Sequence, residues 1–221
     1  MPKNLLKINN HPIIDYQLSN LPAEYINSLV IILGHQGKKL KKHIDSLNLQ
    51  YPVKYYDNYS FKDTNCAYSL LFSRNEMQCG FVLINCDLLF LKKNIIRLLK
   101  SKFSNTITVR NNNITKTDLQ DILIADGKVS KWKLNIQNAN AEIMGPLIMN
   151  DQDAKIVINY YNSLTIKEQK KLHCFSLFSN CLDNVSYYPI YINDDEWEEV
   201  DSLLDLENAE NKITSNAKFL L

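Results

Sequence analysis

Gly80-Phe81-Val82-Leu83-Ile84-Asn85-Cys86-Asp87 opens on a glycine, runs through four apolar side chains and closes on a carboxylate. An unbroken apolar run of this length, bounded by turn-forming and polar residues, predicts a strand buried on both faces, because a half-exposed strand would alternate. Working outward, the same texture stands at Ser28-Leu29-Val30-Ile31-Ile32-Leu33, closed by Gly34, and in shorter form at Val53 to Tyr56. The segments between carry helical periodicity. Lys38 to Leu47 sets Leu40, Ile44 and Leu47 on one face among lysines, and Ala67 to Arg74 reads as a second helix. Strand, crossover helix and strand therefore recur. That alternation predicts an α/β domain with a Rossmann-like, open and mostly parallel sheet and helices on both faces. Ligands of such sheets sit beyond the carboxyl ends of the strands, where Asp87 falls.

The flanks extend this frame. Before it, a short apolar stretch from Leu5 to Ile8 precedes Pro12 and a helix whose Ile13, Ile14, Gln17, Leu18 and Leu21 share a face, with Pro12 fitting a first-turn position. After a helix over Asn94 to Leu99, strand-like runs at Thr106 to Arg110, Leu119 to Ala125 and Val129 to Leu134 carry Asp126-Gly127 between the last two. Asp-Gly between such runs signals a hairpin, so a small antiparallel insertion is expected here. Glu142 to Met149 is a strand, Asp151 to Tyr161 a helix, Lys167 to Cys181 one further helix and Ser186 to Ile192 the last strand. Ser202 then opens a helix with Asp205 at the third position, a capping box with aspartate in place of glutamate. With no linker or repeat, residues 1–221 read as a single domain.

The bulk numbers exclude whole classes of function. With 25 basic and 24 acidic residues in 221, the net charge of +1 offers no field for nucleic acid or an anionic membrane. No apolar run approaches the ~20 residues of a bilayer helix, so no membrane span is expected. Cys66, Cys79, Cys86, Cys174 and Cys181 are odd in number and lack a CxxC pair, which reads as reduced thiols in the cytoplasm. His11, His35, His43 and His173 have no ligand spacing, so neither a zinc site nor a catalytic triad is expected. The charged runs Lys38 to Lys42 and Asp194 to Glu199 read as solvated surface.

Several motifs occur in one order. They are Pro2-Lys3-Asn4-Leu5-Leu6 followed by His11-Pro12-Ile13-Ile14; Asn58-Tyr59 followed by Thr64-Asn65-Cys66-Ala67-Tyr68-Ser69-Leu70; the strand ending in Asp87; Glu142-Ile143-Met144-Gly145; and Trp197-Glu198-Glu199-Val200-Asp201 with Asp205 and Ala209. In that order they resemble the nucleotidyltransferases that make nucleoside-diphosphate sugars and CDP-alcohols, and the Asn65 to Leu70 stretch resembles the phosphocholine cytidylyltransferases. The resemblance covers essentially the whole chain. It implies the nucleotide-diphospho-sugar transferase type of fold and a Mg²⁺-dependent transfer of CMP from CTP to a small phosphorylated alcohol such as phosphocholine, or to a phosphonate, with release of pyrophosphate. CTP or another nucleoside triphosphate and the small acceptor are the implied partners, and a homodimer is compatible with the family. Two other readings stay open: a sugar-1-phosphate nucleotidyltransferase, and an inactive relative that binds a nucleotide or a protein. The last is motivated by a departure. Family members open on a first strand and a glycine-rich phosphate loop, and this sequence starts at the Pro2-Lys3 pair that follows them, so that strand and loop are expected to be absent.

Carried over position by position, the resemblance makes Asp87 and Asp201 the Mg²⁺ ligands, Lys3 a catalytic phosphate contact, Asn65 and Ser69 nucleotide-binding residues and Glu142 a contact to the acceptor. Mg²⁺ suits one or two carboxylates with its other positions left to water and phosphate oxygens. Each residue has a plainer alternative: a strand-end carboxylate for Asp87, helix capping for Asp201 and Asn65, an exposed terminus for Lys3 and an edge carboxylate for Glu142. Tyr55, Tyr56, Tyr59, Tyr68 and Trp132 raise the option of an aromatic cage for a quaternary ammonium.

Overall fold

The computed structural model describes residues 2–111, 121–134 and 136–215. In chain order the strands and helices are β1 (Lys7–Ile8), β2 (His11–Pro12), α1 (Ile13–Ser19), β3 (Leu29–Leu33), α2 (Gly37–Asp45), β4 (Val53–Asp57), α3 (Cys66–Leu70), α4 (Arg74–Met77), β5 (Phe81–Leu83), β6 (Leu88–Phe90) and α5 (Lys92–Leu99). The second half continues with β7 (Thr106–Asn111), β8 (Asp121–Ala125), β9 (Lys128–Lys133), β10 (Ala141–Met149), α6 (Asp151–Ser163), α7 (Ile166–Lys171), α8 (Cys174–Ser179), β11 (Tyr188–Tyr191), β12 (Trp197–Glu199) and α9 (Leu203–Ser215). Residues 119 and 120 of the strand expected from Leu119 lie outside the described residues.

The α/β class holds, and the ladders are mixed in direction rather than mostly parallel. β10 is the axis of a six-stranded sheet: it runs antiparallel to β5, β7 and β8, β8 pairs antiparallel with β9, and only β11 joins β7 in parallel. β3 and β4 form a separate parallel pair, and β6 and β12 a short antiparallel one. The physical reason is β10 itself, whose sequence marks it as a strand without fixing its direction, and which lies antiparallel to the strand before Asp87. The hairpin at Asp126-Gly127 forms as expected, with both residues at positive φ, and an Asn9-Asn10 turn of the same sign joins β1 to β2.

The expectation that β3 and β5 are buried on both faces fails. Only Leu33 of β3 is buried, and Val82 of β5 is 37% exposed. Each has a strand partner on one edge only among the described residues, so apolar composition alone did not guarantee cover. The deepest core lies instead on β10 and β7, where Ile107, Val109, Ile143 and Leu147 pack with Val157, Ile158 and Phe178 from α6 and α8.

Three local expectations are corrected by capping and pairing. The helix expected from Lys167 to Cys181 is two: Thr165 and Glu168 close a capping box on α7, Leu172 and His173 are extended, and the His173 ring accepts the Phe175 N–H to cap α8. Pro12 stands as the cap before α1 rather than in its first turn. The acidic run Asp194 to Glu199 is not wholly solvated, because Glu196 pairs with Lys93 and Arg97 and Glu198 with Lys212, both carboxylates buried. Burial pushes Glu196 up, but Lys93, Asn193 and Arg97 together bring it below the ordinary carboxylate range. A depressed folded pKa stabilises the fold above the unfolded value and loses that contribution as pH falls through the folded one. Glu196→Gln is therefore expected to flatten the loss of thermal stability on acidification below about pH 4.5, measured by calorimetric melts across pH.

Gly145 sits at φ +119° where the β10–β7 register shifts, and a Cβ there would overlap the Leu88 side chain. Gly145→Ala adds backbone strain to overpacking beside β6, an expected loss of about 3 kcal/mol in urea unfolding.

Candidate active site

Asp87 occupies the turn between β5 and β6, and its backbone carbonyl accepts the Val200 N–H at 2.9 Å. That bond prolongs the β6–β12 ladder, in which Glu199 stands opposite Leu88 and Trp197 opposite Phe90. Alternation along an extended strand puts Glu199 and Asp201 on the same side. As a result the carboxylates of Asp87, Glu199 and Asp201 converge, with one oxygen from each lying within 4.8 Å of the others. Gln17 on α1 fixes the turn from behind, donating to the carbonyls of Asn85 (2.7 Å) and Leu88 (2.9 Å). Ile8, Ile13, Tyr16, Leu89, Val200 and Ala209 form the apolar floor that joins α1, β6 and α9 beneath it.

Lys3, in a 3₁₀ turn spanning Lys3–Leu5, completes the cluster. Its Nζ donates to Asp87 Oδ2 at 3.1 Å and hydrogen-bonds Asp201 Oδ1. Burial lowers the Lys3 pKa, but the Asp201 and Asp87 carboxylates raise it further, and the net shift is upward. A raised folded pKa contributes stability that is fully present below the unfolded value of about 10.4 and lost only as pH rises through the folded one. Lys3 therefore stays charged throughout the neutral range.

The donor set suits a hard divalent cation. Three carboxylates surround one point, the Asp87 Oδ1 atom is buried without a hydrogen-bond partner among the described residues, and the ammonium already held there shows that the position favours positive charge. An ion ligated by these oxygens would compete with Lys3 for them.

The other candidate residues lie elsewhere. Asn65 caps α3 through Cys66 N–H (2.7 Å) and donates to Lys171 O at 3.4 Å, which is the plainer of its two expected roles. Ser69 Oγ accepts from the buried Asn58 (2.9 Å), whose amide also donates to Thr64 Oγ1 and accepts from Ser60 N–H. Asn58 thus organises the whole segment, a role the sequence showed only as part of a motif. Glu142 is 2% exposed and bound by Arg110, whose Nε donates to Oε2 at 2.7 Å, so in this structure the carboxylate is engaged by the guanidinium across the β10–β7 ladder. The five aromatic residues do not make one cage: Tyr55 bonds Asp45 under Lys41, Tyr56 bonds Glu76, Tyr59 is 87% exposed, Tyr68 packs on Phe72, and Trp132 is buried among Phe175, Phe178 and Tyr187. These rings stand on β4, α3, β9 and the turn after β4. Glu199 is the member of the cluster that the sequence motifs did not single out. Its signal is its place two residues before Asp201, on the same side of an extended segment.

No family model matches the chain. A segment of 96 residues, 43% of this chain, is 34% identical to choline-phosphate cytidylyltransferase of Streptococcus pneumoniae, and covers 39% of that relative's length. Among solved structures, inositol-1-phosphate CTP transferase from T. maritima superposes with a TM-score of 0.79 at 17% identity, over 97% of this chain and 86% of that one. CTP:phosphocholine cytidylyltransferase from Streptococcus pneumoniae does so with 0.74 at 21% identity, over 96% and 90%. A putative glucose-1-phosphate thymidylyltransferase from Bacillus anthracis gives 0.77 at 15% identity, over 95% and 85%. The fold is that of the nucleotidyltransferases. The matched segment spans less than half of this chain and of that relative.

Proposed function

We propose that this protein is a cytoplasmic, Mg²⁺-dependent cytidylyltransferase that moves CMP from CTP to a small phosphorylated alcohol such as phosphocholine, or to a phosphonate. The observation that carries the reading is the convergence of Asp87, Glu199 and Asp201 on Lys3 at the end of β5. In the reaction an acceptor oxygen attacks the α-phosphorus of CTP, the bond to the bridging oxygen breaks and pyrophosphate leaves. Such a displacement depends on positioning and charge neutralisation more than on a proton-transfer residue. Bound by Asp87 and Asp201, with Glu199 beside them, Mg²⁺ would neutralise triphosphate oxygens. Lys3, charged throughout the neutral range and held on a short turn, would pass from the carboxylates to a phosphate oxygen. On this reading Asn65 and Ser69, in the segment that Asn58 organises, would turn from their present partners to the base edge.

The test is pyrophosphate release by the folded protein with CTP, Mg²⁺ and a panel including phosphocholine and 2-aminoethylphosphonate. Turnover with one acceptor supports the reading, and silence with every acceptor from a protein that melts cooperatively overturns it. Calorimetric CTP–Mg²⁺ binding without turnover would favour a nucleotide-binding relative instead. A second enzyme reading, a sugar-1-phosphate nucleotidyltransferase, has the structural likeness to the thymidylyltransferase and to UDP-glucose pyrophosphorylase (TM-score 0.75 at 12% identity) in its favour. Comparing CTP with UTP, GTP and dTTP separates the two. Lys3→Met is expected to cut turnover by about 100-fold while tightening Mg²⁺ binding, because the carboxylates lose their competing ammonium. Steady-state rates and a Mg²⁺ titration read the two effects separately.

A further inference from the structure

A second grouping of reactive side chains lies where α3 meets α8, away from the carboxylate cluster. Cys66 is the first residue of α3 and Cys174 the first of α8, and the Cys174 N–H donates to Cys66 Sγ at 2.9 Å. That contact leaves the Cys174 Cα within about 4.4 Å of the Cys66 sulfur, a separation from which its own sulfur reaches bonding distance by rotation about χ1. Just ahead of both cysteines the two segments are tied together, since Asn65 N–H donates to Lys170 O at 2.8 Å and Asn65 Nδ2 to Lys171 O at 3.4 Å. Cys66 is a half-buried residue beside the exposed residue His173, the side from which a small molecule would approach, and the Cys174 thiol lies deeper. The Cys174 thiol, the His173 ring and the Cys174 N–H hold the Cys66 thiol well below the ordinary thiol range, although burial pushes it up. Cys174 is pushed the other way, by Cys66 and by burial. A nucleophilic thiolate next to a thiol that keeps its proton is the division of labour of an attacking and a resolving cysteine.

We propose that Cys66 is a modification site for small disulfides and that Cys174 resolves the adduct, closing an intramolecular disulfide between α3 and α8. The Cys66 thiolate attacks one sulfur of a low-molecular-weight disulfide such as oxidised glutathione, forming a mixed disulfide and expelling one glutathione thiolate. The Cys174 sulfur then attacks Cys66 Sγ, and the second glutathione leaves carrying the Cys174 proton. Two electrons pass from the protein dithiol to the small disulfide. The product ties the α7–α8 connection to the turn of Asn65, and it does not depend on the nucleotidyl-transfer reading.

The experiment incubates the full chain with oxidised glutathione, blocks remaining thiols with N-ethylmaleimide at timed points and maps the peptides by mass spectrometry. A Cys66–Cys174 disulfide is expected to form at least tenfold faster than any adduct at the exposed Cys79. In Cys174→Ser, Cys66 is expected to accumulate as the glutathione mixed disulfide. A second measurement on the unmutated chain guards against a misfolded variant: alkylation of Cys66 by iodoacetamide should fall less than about threefold from pH 8 to pH 6, where a free thiol such as glutathione falls about 100-fold. Modification of Cys66 no faster than Cys79, or a pH profile that follows free glutathione, overturns the proposal.

Discussion

Asp87→Asn is expected to lower pyrophosphate release from CTP by at least about 10³-fold, some 4 kcal/mol of transition-state stabilisation, with the melting temperature held within a few degrees of the parent. The turn that carries Asp87 is fixed by Gln17 and by the Val200 N–H on its carbonyl, none of which the substitution touches. What the substitution removes is one of three converging charges, including a buried oxygen that has no hydrogen-bond partner among the described residues. The same variant should lose the Mg²⁺-dependent rise in melting temperature of the parent protein, and Asp201→Asn should behave alike. A strand-end carboxylate with a purely structural task predicts the opposite pattern: a lower melting temperature, with activity falling only in proportion to the unfolded fraction. Steady-state kinetics and thermal melts on the same preparations decide between them.

Glu142→Ala is expected to unfold the protein more easily by about 3–5 kcal/mol, lowering the melting temperature by about 10 °C. Glu142 and Arg110 face each other across the β10–β7 ladder, both nearly inaccessible, and once its partner is gone the guanidinium keeps, among the described residues, the exposed Asp194. An unpaired charge in that position costs far more than the intact pair contributes. Replacing both, as in Arg110→Met with Glu142→Leu, should recover most of the loss. If Glu142 instead met the acceptor, Glu142→Ala would raise the KM for the acceptor and leave the melt unchanged, so denaturant unfolding and acceptor titration together separate the two roles.

Local signals in the sequence were largely sufficient for the elements. The lysine-bordered periodicity of α2, the Asp126-Gly127 hairpin, and the Ser202–Asp205 capping box, in which Asp205 Oδ2 accepts from Ser202 N–H and Oγ, all depend on neighbours within a few residues. Where local pattern misleads, distant contacts override it. The acidic run at Asp194 to Glu199 is buried in part because Lys93 and Lys212 come to it from elsewhere in the chain, and β3 stays half-exposed because strand neighbours are supplied by topology, not by composition.

The sequence by itself set the α/β class and the position of Asp87 at the end of an apolar strand, since periodicity and chain-end polarity are properties of consecutive residues. Only the tertiary structure could bring Lys3, Asp87 and Asp201, separated by 84 and 198 positions from Lys3, into one cluster while withdrawing Glu142 behind Arg110. Meetings of that kind are decided by how β6 and β12 pair and how β10 runs through the sheet, and no local pattern of side chains encodes the register of strands so far apart in the chain.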